Sequence, residues 1–183
     1  MNILKIIGVA CIGLIVVVLL FLVYMGMFSK LNVQEKEMGP YTMAFEKVIG
    51  PYSKTKVAFD NVYNKLKEKG FATTKGIGIY YDDPAKVPAN ELRSDCGSII
   101  GDTDFIRLIE LQGVVEVQTI AASKALVVEM PIRNVMSYMF GPMKAYPAII
   151  KYAKEMKVLL GDVSYEIYDM PNKKIYYVFQ EKS

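Results

Sequence analysis

The pattern Tyr-Asp-x-Pro occurs twice in this chain, as Tyr81-Asp82-Asp83-Pro84 and as Tyr168-Asp169-Met170-Pro171, each time closing a stretch of β-forming residues. The copies lie 87 residues apart. Two copies of one folding unit are the simplest source of such an echo, and they constrain the fold more than any other feature, because whatever the unit is, two must pack together.

The surrounding residues give the unit its parts. Tyr41–Ile49 reads as a strand stopped by Gly50-Pro51. From Ser53 to Lys69, Val57 or Ala58, Val62 and Leu66, with Phe59 and Tyr63 alongside, recur at helical spacing among lysines, and Gly70 closes the helix. Gly76–Tyr81 and Glu91–Ile100 read as two more strands. The second half repeats the order with a strand at Ala125–Pro131, a break at Gly141-Pro142, a helix over Ala148–Leu160 with Pro147 in its first turn, and strands at Val163–Tyr168 and Ile175–Gln180. Arg133–Phe140 reads as an insertion ahead of that helix. Phe105–Leu111 and Val114–Ile120 are expected as further strands between the units. The fold class is therefore α+β: a tandem β-α-β-β repeat forming one antiparallel sheet with two helices on one face. A pocket is expected where the repeats meet.

Side chains of a strand alternate between faces, so Ser164, Glu166 and Tyr168 share one face. Aligned on the echo, Ile79 and Tyr81 occupy the matching positions, and Glu166 stands where the first copy has Ile79. A carboxylate on a face fit for burial is costly unless it is paired or reaches solvent or a ligand. Glu166, Tyr168, Tyr81 and Ile79 are accordingly the expected ligand-binding residues. Arg93 or Lys124 would serve as an internal partner for Glu166 in the plainer alternative. Asp82, Asp83 and Asp169 precede prolines and read as turn formers.

Ahead of the repeats, Ile6–Phe28 carries no charge, and fifteen of its residues are Ile, Leu, Val or Phe. As a helix this run is about 34 Å long, enough for a hydrocarbon core of about 30 Å. Residues 1–30 are thus expected to be a single membrane anchor through residues 6–28, with 31–40 a short stalk or first strand and 41–183 the domain. Lys5 and the terminal amine balance Lys30 and Lys36, so charge leaves the side of the membrane open.

With Lys5 and Lys30 set aside, 20 basic residues face 19 acidic ones in the rest of the chain. That balance lacks the excess charge behind nucleic-acid binding, so no nucleic-acid partner is expected. The chain has no histidine, which removes imidazole catalysis and most zinc sites. Of its two cysteines, Cys11 lies in the apolar run and Cys96 in the domain, so neither a disulfide nor a metal cluster is expected. Cys96 reads as a buried small residue.

The ordered set Gly50-Pro51, Ile79-Tyr80-Tyr81-Asp82-Asp83-Pro84, Glu91-Leu92-Arg93-Ser94-Asp95-Cys96-Gly97, Ile120–Val128 and Tyr165-Glu166-Ile167-Tyr168 resembles the GyrI-like domain, the small-molecule-binding half of AraC-type and MerR-type regulators. The resemblance implies a groove between two β-α-β-β modules for bulky, often cationic aromatic compounds, with Glu166 contacting the ligand and Tyr81 and Tyr168 as aromatic walls. It implies no cofactor. Where those regulators carry a helix-turn-helix, this chain carries the apolar run, so control of transcription is not carried over. The order of span and domain also resembles animal ER-phagy receptors, which implies a platform for a protein partner as the alternative. A hydrolase using Glu166 and a tyrosine as base and acid is a further one, though binding without catalysis is the expectation.

Overall fold

The structure is a computed structural model and describes residues 3–182. The apolar run forms helix α1, Ile3–Tyr24. Its stretch Lys5–Tyr24 is long and apolar enough to cross a membrane, and none of that stretch is buried by the rest of the protein. Beyond its last turn, Gly26 adopts φ +72°. The Lys144 ammonium donates to the carbonyl oxygen of Gly26, and to the carbonyl oxygen and hydroxyl of Ser29 at 2.5 and 2.9 Å. The Gly26 carbonyl also accepts from the Ser29 N–H and hydroxyl, so the ammonium adds a tie between α3 and the turn that follows α1.

Eight strands follow: β1 (Val33–Met38), β2 (Tyr41–Ile49), β3 (Lys75–Tyr80), β4 (Arg93–Ile99), β5 (Glu116–Ile120), β6 (Ser123–Pro131), β7 (Leu160–Asp169) and β8 (Lys174–Glu181). Helix α2 (Lys56–Glu68) lies between β2 and β3, and α3 (Ser137–Met156) between β6 and β7. The two units are therefore β2-α2-β3-β4 and β6-α3-β7-β8. All strands join one sheet in the order β1-β6-β8-β7-β3-β4-β2-β5, and every pairing is antiparallel. Of the two expectations for residues 31–40, the structure has the strand.

The units exchange their leading strands. β1 precedes the first unit but pairs with β6 of the second, Val33 facing Val128, while β5 precedes the second unit but pairs with β2 of the first, Tyr41 facing Ile120. The order then reads symmetrically from both ends, with a pseudo-twofold axis between β3 and β7. It also forces curvature. In a flat sheet β1 and β2 would lie six spacings, about 29 Å, apart, yet Met38 and Tyr41 are joined by only Gly39-Pro40, which reaches at most about 11 Å. Ala121-Ala122 joins β5 to β6 under the same constraint. The two links pack on each other: a Cβ on Gly39, whose φ is +95°, would stand 3.2 Å from the Ala121 oxygen and from Ala122 Cα. Only glycine combines that backbone conformation with so close an approach.

Curling buries the concave face against itself. Met38, Met43, Phe45, Ile77, Ile79, Val127, Tyr165, Ile167 and Val178 form one core there without a helix. Both helices pack on the convex face. Ala58, Val62 and Leu66 of α2 are buried, Val62 and Leu66 joining Ala44, Phe71, Ile100 and Leu111. Ala145, Ile149 and Ala153 of α3 meet Leu126, Val128, Ile175 and Tyr177.

Two expected elements differ. Residues 102–111 form a 3-10 segment rather than a strand over Phe105–Leu111. Arg107 pairs with Asp104 and Glu110 at spacings of three, which a three-residue turn stacks, and its guanidinium lies 4.4 Å from the Phe71 ring. Helix α3 starts at Ser137 and runs through both prolines, so Arg133–Phe140 is only partly an insertion and Pro147 is not in a first turn. The packing of Gly141 explains the override: a Cβ there would stand 1.8 Å from the Tyr177 hydroxyl, so the missing side chain lets α3 lie directly on β8.

Candidate functional site

Glu166 lies near the middle of β7, beside the pseudo-twofold axis, with Gly78 of β3 directly across on one side and Tyr177 of β8 on the other. It points to the convex face, between the helices, and is 4% exposed. No cation meets it among the described residues. Instead Tyr146 of α3 donates its hydroxyl to Oε1 at 2.5 Å, and Tyr168, two residues along β7, donates to Oε2 at 2.6 Å. The Tyr168 hydroxyl lies 3.1 Å from that of Tyr80 on β3.

Aromatic rings close over this acid. Phe59 of α2 stands edge-on to Tyr168 at 5.4 Å, Tyr138 of α3 lies tilted against Tyr168 at 5.8 Å, and Tyr52 meets Tyr80 edge-on at 4.9 Å. Gly78 makes the arrangement possible. A Cβ at that position would stand 3.0 Å from both the Phe59 ring and the Tyr80 hydroxyl, so its absence is the space the rings fill.

Burial raises the Glu166 carboxyl above its ordinary 4.5, opposed by hydrogen bonds from Tyr146 and Tyr168. Burial likewise pushes Tyr80, Tyr146 and Tyr168 well above the usual phenol range, and the negative charge of Glu166 adds to each. The phenols therefore stay protonated at neutral pH and serve as donors. An anion held only by neutral hydroxyls keeps a large part of its desolvation cost, several kcal/mol for a buried ion, uncompensated by charge. The arrangement suits a cation with flat apolar surface, which gains both the carboxylate and the ring faces.

Above the rings the helices leave apolar side chains unburied. On α3, Met139, Met143 and Ile150 are exposed and recur on the flank that carries Tyr146. On α2, exposed Tyr63 stands one turn from Phe59. These residues lie on the two helices that carry the rings over Glu166.

The expected site residues separate. Glu166 and Tyr168 are bonded to each other, but Ile79 and Tyr81 are not beside them. Ile79 pairs across strands with Tyr165 and belongs to the concave core. The Tyr81 hydroxyl donates to Asp95 at 2.6 Å, next to Gln118 at 3.2 Å from the same acid oxygen. The echo sets Tyr81 against Tyr168, yet the two face opposite sides of the sheet, because one residue of slip turns a strand over. The tyrosine that shares the site is Tyr80, and the residue across from Glu166 is Gly78. An offset of 88 residues in place of 87 sets Tyr80 against Tyr168 and Gly78 against Glu166; Tyr146 and Phe59 carry no such signal.

The plainer roles hold elsewhere. Arg93 forms a bidentate pair with Asp82 rather than with Glu166. Asp83 and Asp169 accept backbone N–H groups of their turns. Cys96 is fully buried, and burial pushes its thiol up to about 12, far from a reactive thiolate. The expected pocket between the repeats is filled by the rings. Two cavities, one of about 40 Å³ beside Gly26 and Arg133 and one of about 470 Å³ beside Phe45 and Gly113, do not include Glu166.

No family model matches the chain. A DNA gyrase inhibitor of Pectobacterium carotovorum subsp. carotovorum (strain PC1) is 40% identical over 50 residues, 27% of this chain and 32% of that protein. The chain thus matches about a third of the length of this curated relative. Among solved structures, the C-terminal domain of EcmrR superposes with a TM-score of 0.59 at 14% identity, covering 84% of this chain and 98% of that one. The structure of SAV2435 bound to tetraphenylphosphonium superposes with a TM-score of 0.50 at 12% identity, covering 83% and 94%. Such identities establish the fold, and the fold is the expected one: the tandem β-α-β-β sheet of GyrI-like and effector-binding domains, here preceded by one apolar N-terminal helix.

Proposed function

We propose that this chain is a GyrI-like binding domain anchored by α1 in a membrane as a single-pass protein, and that the cleft between α2 and α3 takes a small amphipathic or cationic molecule. The observation that carries the reading is the buried Glu166 carboxylate, held by two tyrosine hydroxyls and no internal cation. The gyrase-inhibitor match and the tetraphenylphosphonium complex of a protein of the same fold support it. Tyr80, Tyr146, Tyr168 and Phe59 act as walls, and the rims with Met139, Met143 and Tyr63 adapt to ligand shape. Ile79 and Tyr81 have no part in it.

The cleft is closed by its rings, so binding requires α2 or α3 to draw aside. Affinity is then the intrinsic value reduced by the fraction of open molecules. The closed rings also favour a second reading, in which the convex face is a platform for a protein partner and the acid is a structural remnant. Titration of the full chain in detergent with tetraphenylphosphonium separates the two. The proposal expects saturable binding that Glu166→Gln weakens at least about tenfold, equivalent to 1.4 kcal/mol, with an unchanged circular dichroism spectrum. Equal affinity in the variant, or no binding by the folded wild type, rejects it.

A further inference from the structure

We propose that the loop joining β6 to α3, residues 132–136, is a second membrane contact, in which Arg133 binds the phosphate of an anionic lipid and Val135 enters the acyl boundary. This rests on α1 spanning a bilayer.

The loop is fixed at the level where α1 ends. The Arg133 guanidinium lies 5.5 Å from the Tyr24 ring, and the Asn134 amide donates to the Met25 sulfur at 3.3 Å. Lys144, one turn into α3 from Phe140, grips Gly26 and Ser29. Tyrosine at the end of an apolar span marks the headgroup level, so whatever touches Tyr24 from the side of the domain sits at that level too. The β7–β8 turn belongs to the same edge, since Ile132 N donates to the Lys173 carbonyl at 2.7 Å.

Charge and polarity along this edge fit a lipid surface. Lys30, Arg133, Lys144 and Lys173 form no ion pair among the described residues. The acids nearest in sequence to Arg133 and Lys173 are already held, Glu129 by Lys36 and Lys174 and Asp169 by Lys75 and Asn172. Arg133 keeps its fork of donors open, the geometry that receives a phosphodiester. Next to it Val135 is 76% exposed and Phe28 68% exposed. Exposed apolar side chains flanked by unpaired cations at the end of a span are what an interfacial contact with anionic lipid needs.

The chain has no tryptophan, so Val135→Trp supplies a single indole at an exposed position. The full chain carrying it is reconstituted in vesicles, and its emission is quenched with phosphatidylglycerol or phosphatidylcholine brominated near the glycerol. The expected result is quenching by both, with relative association about fivefold in favour of phosphatidylglycerol, a preference that Arg133→Gln abolishes. An unquenched indole in chain that resists alkaline carbonate extraction overturns the contact while leaving the span. Chain stripped from the vesicles by carbonate removes the span and the contact together. A fivefold preference unchanged by Arg133→Gln overturns the role of Arg133. A preference erased by inorganic phosphate at constant ionic strength gives the site to the free anion and overturns it as a lipid site. None of these readouts involves the cleft at Glu166, so failure of ligand binding leaves them interpretable.

Discussion

Glu166 and Asp95 are both buried acids within two strands of the pseudo-twofold axis, both bonded to tyrosine hydroxyls, yet they face opposite sides of the sheet. Asp95 points into the concave core, where Tyr81 and Gln118 bond it and Ile79 and Lys47 lie across from it on neighbouring strands. Gln118, Ile79 and Lys47 lie on strands and Tyr81 directly follows β3, so these surroundings are held by the ladders and by the two short links that close the curl. Glu166 points to the convex face, and the groups that cover it, Phe59, Tyr138 and Tyr146, ride on α2 and α3. A cover of helices can shift over a sheet, whereas a cover of paired strands cannot without breaking ladders. On the proposed function, the same acid and tyrosine chemistry is therefore structural on one face and open to a ligand on the other.

The sharpest way to break this contrast is to neutralise each acid in turn. Glu166→Gln is expected to lower tetraphenylphosphonium affinity by about 10- to 100-fold, the worth of a charge-assisted contact in a desolvated site. Asp95→Asn should leave it within about twofold, because distant sites without shared partners act independently. Isothermal titration of both variants decides the matter, and a comparable loss from Asp95→Asn would end the distinction between faces.

Thermal stability should respond with opposite signs. The folded-state carboxyl of Glu166 is raised above its ordinary 4.5, so folding favours its protonated form. Its contribution is fully present below pH 4.5 and is lost as pH rises through the raised value. The wild type should therefore lose stability across that window, and Glu166→Gln should not. From pH 4 to pH 8 the variant is therefore expected to gain Tm relative to the wild type, because only the wild type carries the carboxyl whose folded-state value is raised. Asp95→Asn places amide hydrogens in a closed core and should cost about 1 to 3 kcal/mol. Melting curves from pH 4 to 8 check both, and a stabilised Asp95→Asn or a destabilised Glu166→Gln reverses the assignment.

The comparison also shows what a sequence discloses. Alternation in Val163–Tyr168 and the spacing of Ala58, Val62 and Leu66 exposed the elements and the duplication, because periodicity is local. Glu166 and Tyr168 were legible for the same reason. Tyr81 and Ile79 lie on the opposite face from Glu166 because strand register, not similarity, decides which face a residue takes, and Tyr-Asp-x-Pro aligned the copies one residue out. Met38-Gly39-Pro40-Tyr41 looks like the turn of a hairpin, and nothing local shows that its strands belong to opposite ends of the sheet. Tyr146 was hidden by Pro142 and Pro147, which argue against a helix that Gly141 makes possible by packing on Tyr177.

The smallest expected effects come from the hydroxyls. Tyr146→Phe and Tyr81→Phe each delete one donor to a buried acid, at about 1 kcal/mol of stability apiece, so Tm alone cannot tell the faces apart. The pH dependence of ligand binding can. A cation binds the ionised form of Glu166, so affinity rises with pH through the raised carboxyl value. The Tyr146 bond lowers that value, and its loss should move the midpoint of the affinity profile upward. At a pH below the new midpoint Tyr146→Phe then binds more weakly than the wild type, whereas well above it the carboxylate, short of one donor, binds at least as tightly. Tyr81→Phe bonds a different acid and should leave the profile in place. Tetraphenylphosphonium titrations from pH 5 to 9 check this, and a midpoint that follows Tyr81 instead of Tyr146 would mean that the ligand enters through the concave side.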